Sequence, residues 1–501
     1  MKGPLHFWAN AVFVLVTFIA SLSFVSPAAA QANFEASQLG GRTAMMGGAV
    51  VAMGEDEATA FVNPAGITRI PGQSFSFSTF AITIRNRSMS SPLDASDRLD
   101  LDDTNVNRLQ LRILPNTFCL FLDGPPKDTY SGRSRHKYAI CGASTEREEF
   151  DFTRARRDVN GSMASATSHA TNMKFVRSTV AASWGLALSR DTSIGVTFRT
   201  DNTRFRDDTN ATAYAAEGNA GRLQTVMRST LALSWDTSVV IGLTSYLSRN
   251  ITLGASLTTP SQHLLGRYTG LSSTSSTGGL PHSTTQDTGD FRYNHPGSLR
   301  LGLGFTWPRL LVELDGSFYG PQKQLARANF DRATAFVQGA GITDGASAGM
   351  GNSLRASIVE RGRPVTNLSL GTEYFLERDF ALIAGLQTDF SGIHPRETSP
   401  PTDVLFRQEK DSYHAAIGVS TYGEQGRLLL GIRGQFSRGS VLMADAALQE
   451  PAFVALPQSE WALSVVLAGQ VSFRTVRAAA RAAAPRSNAG GSERPKRKEN
   501  E

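Results

Sequence analysis

Charged side chains on the polar phase of alternating stretches are where this chain could do chemistry. Arg199, Arg228, Arg300 and Arg433 fall there, and so do Glu313, Asp315, Glu373 and Asp389. A guanidinium held away from bulk water can receive a carboxylate or phosphate through paired N–H donors. Two readings are open. One or more of the candidates Arg228, Arg300 and Arg433 takes an anionic ligand, or charges of both signs neutralise one another, as buried charges normally do. A neutral ligand would need none of them. No covalent chemistry is visible. The chain has no Gly-x-Ser-x-Gly, no His-Glu-x-x-His and no phosphate loop at a usable position. His414 shares the polar face near Ser420 and Asp411, but nothing fixes a triad. An enzyme is not expected, and no cofactor or metal is implied.

These positions belong to a regular series of strands. From Gln73 onward, segments of alternating polarity can be counted to fourteen. In 298–305, Leu299, Leu301, Leu303 and Phe305 share one face, and Arg300, Gly302 and Gly304 the other. In 427–436, Leu428, Leu430, Ile432 and Phe436 oppose Arg433 and Gln435. Even-numbered connections are short, as at Arg190-Asp191, Arg249-Asn250, Trp307-Pro308 and Glu377-Arg378. Odd-numbered ones are long and polar: 88–106, 153–171, 207–221, 271–290, 321–361, 393–408 and 439–459. An even strand count with tight turns at one rim and long loops at the other marks an antiparallel transmembrane β-barrel. The apolar phase then faces lipid, and the polar and glycine phase faces the lumen. Trp235, Tyr246, Trp307, Tyr374 and Trp461 suit interfacial girdles.

Composition agrees. Mean hydropathy is −0.19 and charged residues make up 19%, which excludes a bundle of apolar transmembrane helices. Residues 1–30 read as a signal peptide, with Lys2, an apolar run from Phe7 to Val25, and Ala28-Ala29-Ala30 before Gln31. An uncleaved anchor is the alternative. The net charge of +6 lies in the ends: Lys2, and a tail after Phe473 carrying eight Lys/Arg against three Glu. Residues 31–473 are therefore neutral, and nucleic acid is not an expected partner. The tail, 474–501, reads as disordered. Cys119 and Cys141 fall on strands two and three. A cross-strand disulfide and two separate thiols are both open.

Two segments stand apart from the strands. In 321–361, Ala326, Phe330, Ala333 and Val337 follow three- and four-residue spacing, flanked by Phe336. This predicts an amphipathic loop helix, either contacting ligand through Phe330 and Phe336 or merely packing on the rim. Residues 31–72 are rich in glycine and small side chains and run through Asp56 to Asn63-Pro64-Ala65-Gly66. A short helix is expected over Glu55–Val62. Pro64 should end it, and Gly66 should let the chain turn toward the first strand.

Small residues, an acid, Asn63-Pro64-Ala65-Gly66 and then Ser74-Phe75-Ser76-Phe77-Ser78 resemble the FadL/TodX family of outer-membrane transporters of long-chain fatty acids and other hydrophobic compounds. The stretches 253–261, 295–299 and 370–374 are similar too. The resemblance implies a fourteen-stranded barrel whose lumen is plugged by an N-terminal hatch, 31–72, around Asp56, Asn63, Pro64, Ala65 and Gly66. It implies hydrophobic small molecules as partners, passive transport, release sideways into the bilayer, and a site in outer-membrane lipid of a Gram-negative cell. Long loops would be extracellular, the tail periplasmic, and the protein a monomer. Two features depart from the family. One is the basic tail. The other is a first long loop rich in acids (Asp94, Asp97, Asp100, Asp102, Asp103) where an apolar capture groove would be expected. A barrel serving as anchor or assembly partner for exported proteins is the competing function.

Overall fold

A computed structural model describes residues 33–35, 39–89, 104–111, 116–125, 134–160, 163–217, 220–277, 282–338, 351–352, 357–393, 405, 408–423, 426–445 and 452–473. The expected signal peptide, the basic tail and the acidic residues 94–103 lie outside them. The chain forms a closed antiparallel barrel of fourteen strands. The first six are β1 (Ser74–Met89), β2 (Thr104–Leu111 and Thr117–Asp123), β3 (His136–Asn160), β4 (Met163–Ala187), β5 (Thr192–Glu217) and β6 (Ala220–Tyr246). Then come β7 (Ile251–Thr258 and Gln262–Ser276), β8 (His282–Tyr293 and Ser298–Thr306), β9 (Leu310–Tyr319 and Gln322–Gln338) and β10 (Gly351–Asn352, Ser357–Gly362 and Val365–Glu377). The last four are β11 (Phe380–Asp389), β12 (Gln408–Gly423), β13 (Gly426–Asp445) and β14 (Ala452–Ser472). Each pairs with the next, and β1 closes on β14 from Ser74↔Ser472 to Met89↔Gln458.

The expected strand count holds, but most of the long connections are strand rather than loop. β3 and β4 run on until Asn160 pairs with Met163, and β5 and β6 until Glu217 pairs with Ala220. A membrane crossing takes only about 9–11 residues of strand. The remainder of these hairpins stands beyond it, paired along its whole length. The expected helix around Ala326, Phe330, Ala333, Val337 and Phe336 is also strand. Gln322–Gln338 pairs with His282–Tyr293, and Ala326, Ala328 and Phe330 line its inner face at period two. An alanine-rich run permits either period, and the free edge of β8 decides it.

The two faces exchange polarity along the barrel. In β5's crossing, Phe198 points out at 64% exposure while Thr197, Arg199 and Asp201 are buried. Further along the same strand Phe205 is buried, and Arg204 and Arg206 are exposed. The phase never slips; the chemistry does. Within lipid the wall is apolar outside, and beyond lipid it is apolar inside.

Four neighbouring strands, β7 to β10, break at Thr259-Pro260, His295-Pro296, Gly320-Pro321 and Arg363-Pro364. Proline cannot donate to a ladder, and side chains mend the gaps. The His295 amide donates to Ser261 Oγ at 2.8 Å, and the Val239 amide to Thr259 Oγ1 at 3.0 Å. Cys119 and Cys141 face each other across β2 and β3 and are disulfide-bonded, with Cα atoms 4.2 Å apart.

Phe198 sits midway along the apolar stretch of β5. Phe198→Arg should lower unfolding free energy in lipid vesicles by about 2–4 kcal/mol, measured by denaturant titration. An unchanged midpoint would show that this face does not meet hydrocarbon.

Candidate functional site

Residues 40–70 pack on the inner faces of strands around most of the ring. They form α1 (Gly41–Met45), α2 (Thr59–Val62) and a 3-10 turn (Pro64–Arg69). The contact is backbone on backbone, and a row of inward glycines makes it fit. A Cβ on Gly195 would lie 2.4 Å from Pro64 C, on Gly242 2.0 Å from Asn63 Oδ1, and on Gly254 2.1 Å from Val51 O. On Gly302 it would lie 2.9 Å from Ala52 N, on Gly371 2.6 Å from Met46 O, and on Gly385 2.1 Å from Gly47 N. These glycines are register neighbours in pairs, Gly195↔Gly242, Gly254↔Gly302 and Gly371↔Gly385. The polar-phase glycines of the sequence are thus the seat of this segment.

Carboxylates hold it there. Asp315 Oδ2 accepts the amides of Val50 and Val51 at 2.7 and 2.9 Å. Two residues away on β9, Glu313 Oε1 accepts those of Ala52 and Met53 at 2.7 and 2.9 Å. Four successive N–H groups, with no helix to satisfy them, end on two buried acids. Glu373 pairs with Arg42, whose Nη1 donates to Met53 O at 3.1 Å. Three of the four inward acids therefore serve the segment.

The expected site residues of this segment have distinct places. Asp56 accepts from Thr43 N and Thr43 Oγ1, both at 2.8 Å, which ties α1 to the stretch before α2. α2 is shorter than expected, beginning at Thr59, and it stops before Pro64 with Asn63 extended at φ −142°. Asn63 Nδ2 donates to Val51 O at 2.6 Å and to Leu243 O on the wall at 3.1 Å. Its side-chain oxygen caps Ala65 N. Pro64 opens the 3-10 turn, and Ala65 is fully buried against Gly195. Gly66 does not turn the chain. A Cβ there would sit 3.0 Å from Thr59 Cγ2, and the turn is made at Gly72, φ +59°.

The structure separates the three candidate arginines. Arg300 is paired: Nη2 donates to Tyr319 Oη at 2.7 Å, and Nε lies 3.9 Å from Glu35. Glu35 also accepts from Gln387 Nε2 at 2.8 Å, and Phe34 stacks on Tyr319 at 4.7 Å. Arg228 lies inward on β6 beyond the crossing, between Thr209 and Ser272 in register, and is not brought near the other two. Arg433 is buried on β13, and its Nε and Nη2 meet no hydrogen-bond partner among the described residues. Phe80 lies 5.8 Å beneath it. On the adjacent strand His414 is buried with both ring nitrogens unpartnered among the described residues. Ser420 instead accepts from Arg427, and Asp411 from the Ser391 amide.

Sequence reasoning missed the largest feature. In the extended half, Phe150, Phe152, Met173, Phe175, Phe205, Tyr268, Phe291 and Tyr293 form one buried cluster fed from strands on all sides. Phe330 packs against it, 5.2 Å from Tyr268. The side chain of Phe336 is outside the described residues. The signal was strand phase carried past residue 201: Phe205 has the parity of Arg199.

No family profile and no curated protein matches the chain. Solved structures do. A Pseudomonas aeruginosa FadL homologue aligns at TM-score 0.55 and 10% identity, over 88% of this chain and 99% of that one. The P. putida toluene transporter TodX aligns at 0.52 and 13% identity, over 88% and 99%. A TodX deltaS2S3 mutant, a monoaromatic hydrocarbon channel, gives 0.55 and 14%, over 88% and 100%. The chain has the FadL/TodX fold. At these identities the likeness speaks for architecture.

Glu313→Ala with Asp315→Ala should orphan four amides at about 1–3 kcal/mol each if they stay buried, so residues 50–53 should leave the wall while the barrel persists. A thiol reagent should then label Ala60→Cys, which the parent background protects. Equal protection in both would show that the glycine seat alone retains the segment.

Proposed function

We propose that the protein passes hydrophobic small molecules, long-chain fatty acids or similar compounds, across the outer membrane without an energy source. The observation that carries this is the aromatic cluster inside the extended half, directly in line with the segment seated on the glycine row. An apolar solute reaching the barrel through a polar surface layer finds a buried apolar lining within. Residues 31–72 act as a hatch whose displacement opens the path. An apolar outer wall suits a barrel in lipid; on this reading the extended hairpins lie outside the cell, and release runs sideways into the bilayer, which keeps the solute out of water. The barrel works as a monomer. The FadL homologue and the toluene transporter with the same fold agree with this reading.

Of the candidate arginines, Arg433 is the one suited to an anionic head group, because Arg300 is engaged by Glu35 and Tyr319. An unpaired buried cation is costly and gains most from an incoming carboxylate. Purified protein should bind oleate more tightly than methyl oleate, and Arg433→Ala should remove that preference by about 1.5–3 kcal/mol, read by fluorescence titration. Arg300→Ala and Arg228→Ala should leave it. Equal binding of acid and ester by the parent protein would assign Arg433 a structural role and the transport reading to neutral solutes.

Replacing Asn63-Pro64 by Ala-Ala should cut the ties to Val51 and Leu243 and change oleate or toluene uptake in a deletion strain, with heat-modifiability of the barrel kept. Uptake identical with and without the protein would favour the anchor reading over transport.

A further inference from the structure

Passage of a solute does not use the outward cations beyond the apolar belt. Lys174, Arg204, Arg206, Arg267, Arg292 and Arg327 stand on β4, β5, β7, β8 and β9. Their direction follows from alternation. Arg204 and Arg206 share the face of Phe198, Lys174 that of Val180, and Arg267 that of Leu265, all three apolar residues being more than half exposed. Arg292 lies between buried Phe291 and Tyr293, and Arg327 between buried Ala326 and Ala328. Their height follows from strand length. Counting about 9–11 residues from the short-turn ends Ala187, Thr192, Ile251, Thr306 and Leu310 ends every crossing before these cations, closely at Lys174, Arg204, Arg206 and Arg292 and with a strand break in between at Arg267 and Arg327.

They are neighbours in the sheet. Lys174 pairs with Arg206, Leu233 lies between Arg204 and Arg267, and Arg292 faces Arg327. Like charges directly opposite on one face destabilise a sheet. Acids offset only part of this. Arg206 meets Asp208 at 2.5 Å, Arg292 meets Asp290 at 2.8 Å, and Lys174 meets Glu149 at 3.3 Å. Among the described residues Arg204, Arg267 and Arg327 have no acid. Arg204 donates to Asn202 at 3.0 Å and Arg327 to Asn329 at 2.5 Å, both neutral amides. Leu231, Leu233 and Leu265 lie among the cations. The patch thus offers guanidinium forks for phosphate oxygens beside apolar surface for acyl chains, at the depth where headgroup meets hydrocarbon.

We infer that this patch holds the phosphorylated headgroup of an outer-leaflet glycolipid, which neutralises the facing arginines and fixes the barrel's depth and tilt. The inference rests on the membrane placement proposed above. The test uses folded full-length protein in lipid nanodiscs and in detergent micelles doped with bisphosphorylated lipid A, dephosphorylated lipid A or phosphatidylcholine, with retained lipid counted by native mass spectrometry. Bisphosphorylated lipid A should be retained selectively. Arg204→Ala/Arg267→Ala/Arg327→Ala should reduce its retention about tenfold or more, with heat-modifiability intact and oleate binding unchanged. Equal retention of phosphorylated and dephosphorylated lipid, or equal retention by parent and triple variant, would overturn the inference and leave the transport reading standing. Displacement of the lipid by millimolar inorganic phosphate would reassign the patch to free anions. Failure to enter nanodiscs at all would remove the membrane placement and this inference with it.

Discussion

The structure depends on one steric condition: at 46–47, 51–52 and 63–65 the chain touches the wall so closely that no Cβ fits between. Two backbones can approach this closely only where one side lacks Cβ. The inward glycines on β5, β6, β7, β8, β10 and β11 satisfy that condition at one level of the barrel. The condition also accounts for the segment's composition. Gly47, Ala49, Ala52, Ala58, Ala60 and Ala65 keep its own side chains small, so little volume has to be housed in the lumen. Met46, Met53 and Phe61 pack on the wall between the close approaches, and hydrogen bonds to the wall fix the segment's position.

Those hydrogen bonds explain why acids on the inner face need not be ion-paired. Glu313 and Asp315 solve the problem a helix would otherwise solve, giving acceptors to consecutive amides that have none of their own. An irregular backbone inside a barrel is tolerated only when every N–H is met. A carboxylate meets two at once and stays specific to position, because its own strand is fixed. Glu373 adds a charged partner in Arg42 and completes the belt. The inner face therefore reads as one set of contacts shaped for one segment of the same chain.

Much of this was legible in the sequence, for a physical reason. Period-two alternation with opposite polarities survives wherever one face meets lipid and the other does not, so the crossings, the strand count and the short turns of β3 to β14 were readable. The extended hairpins were not. Beyond the bilayer both faces lose their contrast: Thr167, Ser168, Thr209 and Thr225 suit either side. Polarity also reverses there, so Phe205 and Met173 look out of phase with Phe198 and Val180 although the register is continuous. The strand at Gln322–Gln338 was misread because alanine spacing fits two periods and the partner edge that chooses between them is distant in sequence. Among the site residues, alternation placed Arg300 and Arg433 inward correctly, yet it could not show that Glu35 occupies one and nothing described occupies the other. That difference is made by a residue far away in the chain.

The reversal of polarity along the strands has a consequence for how a single wall can serve two environments. In the crossing, apolar side chains face lipid and the interior is filled by the segment's backbone and the charges that hold it. In the extension the apolar side chains lie inside, where the strands that continue enclose a buried aromatic cluster. The two halves meet where Arg199, Arg300 and Arg433 succeed Phe205 and Tyr293. On the proposed reading, a hydrophobic solute moving inward reaches buried cations where the aromatic lining ends, with the seated segment ahead of it. On that reading its further movement is tied to the segment's hold on the glycine row. Position of the solute and state of the segment would then be linked by geometry, through strand phase and the placement of glycine.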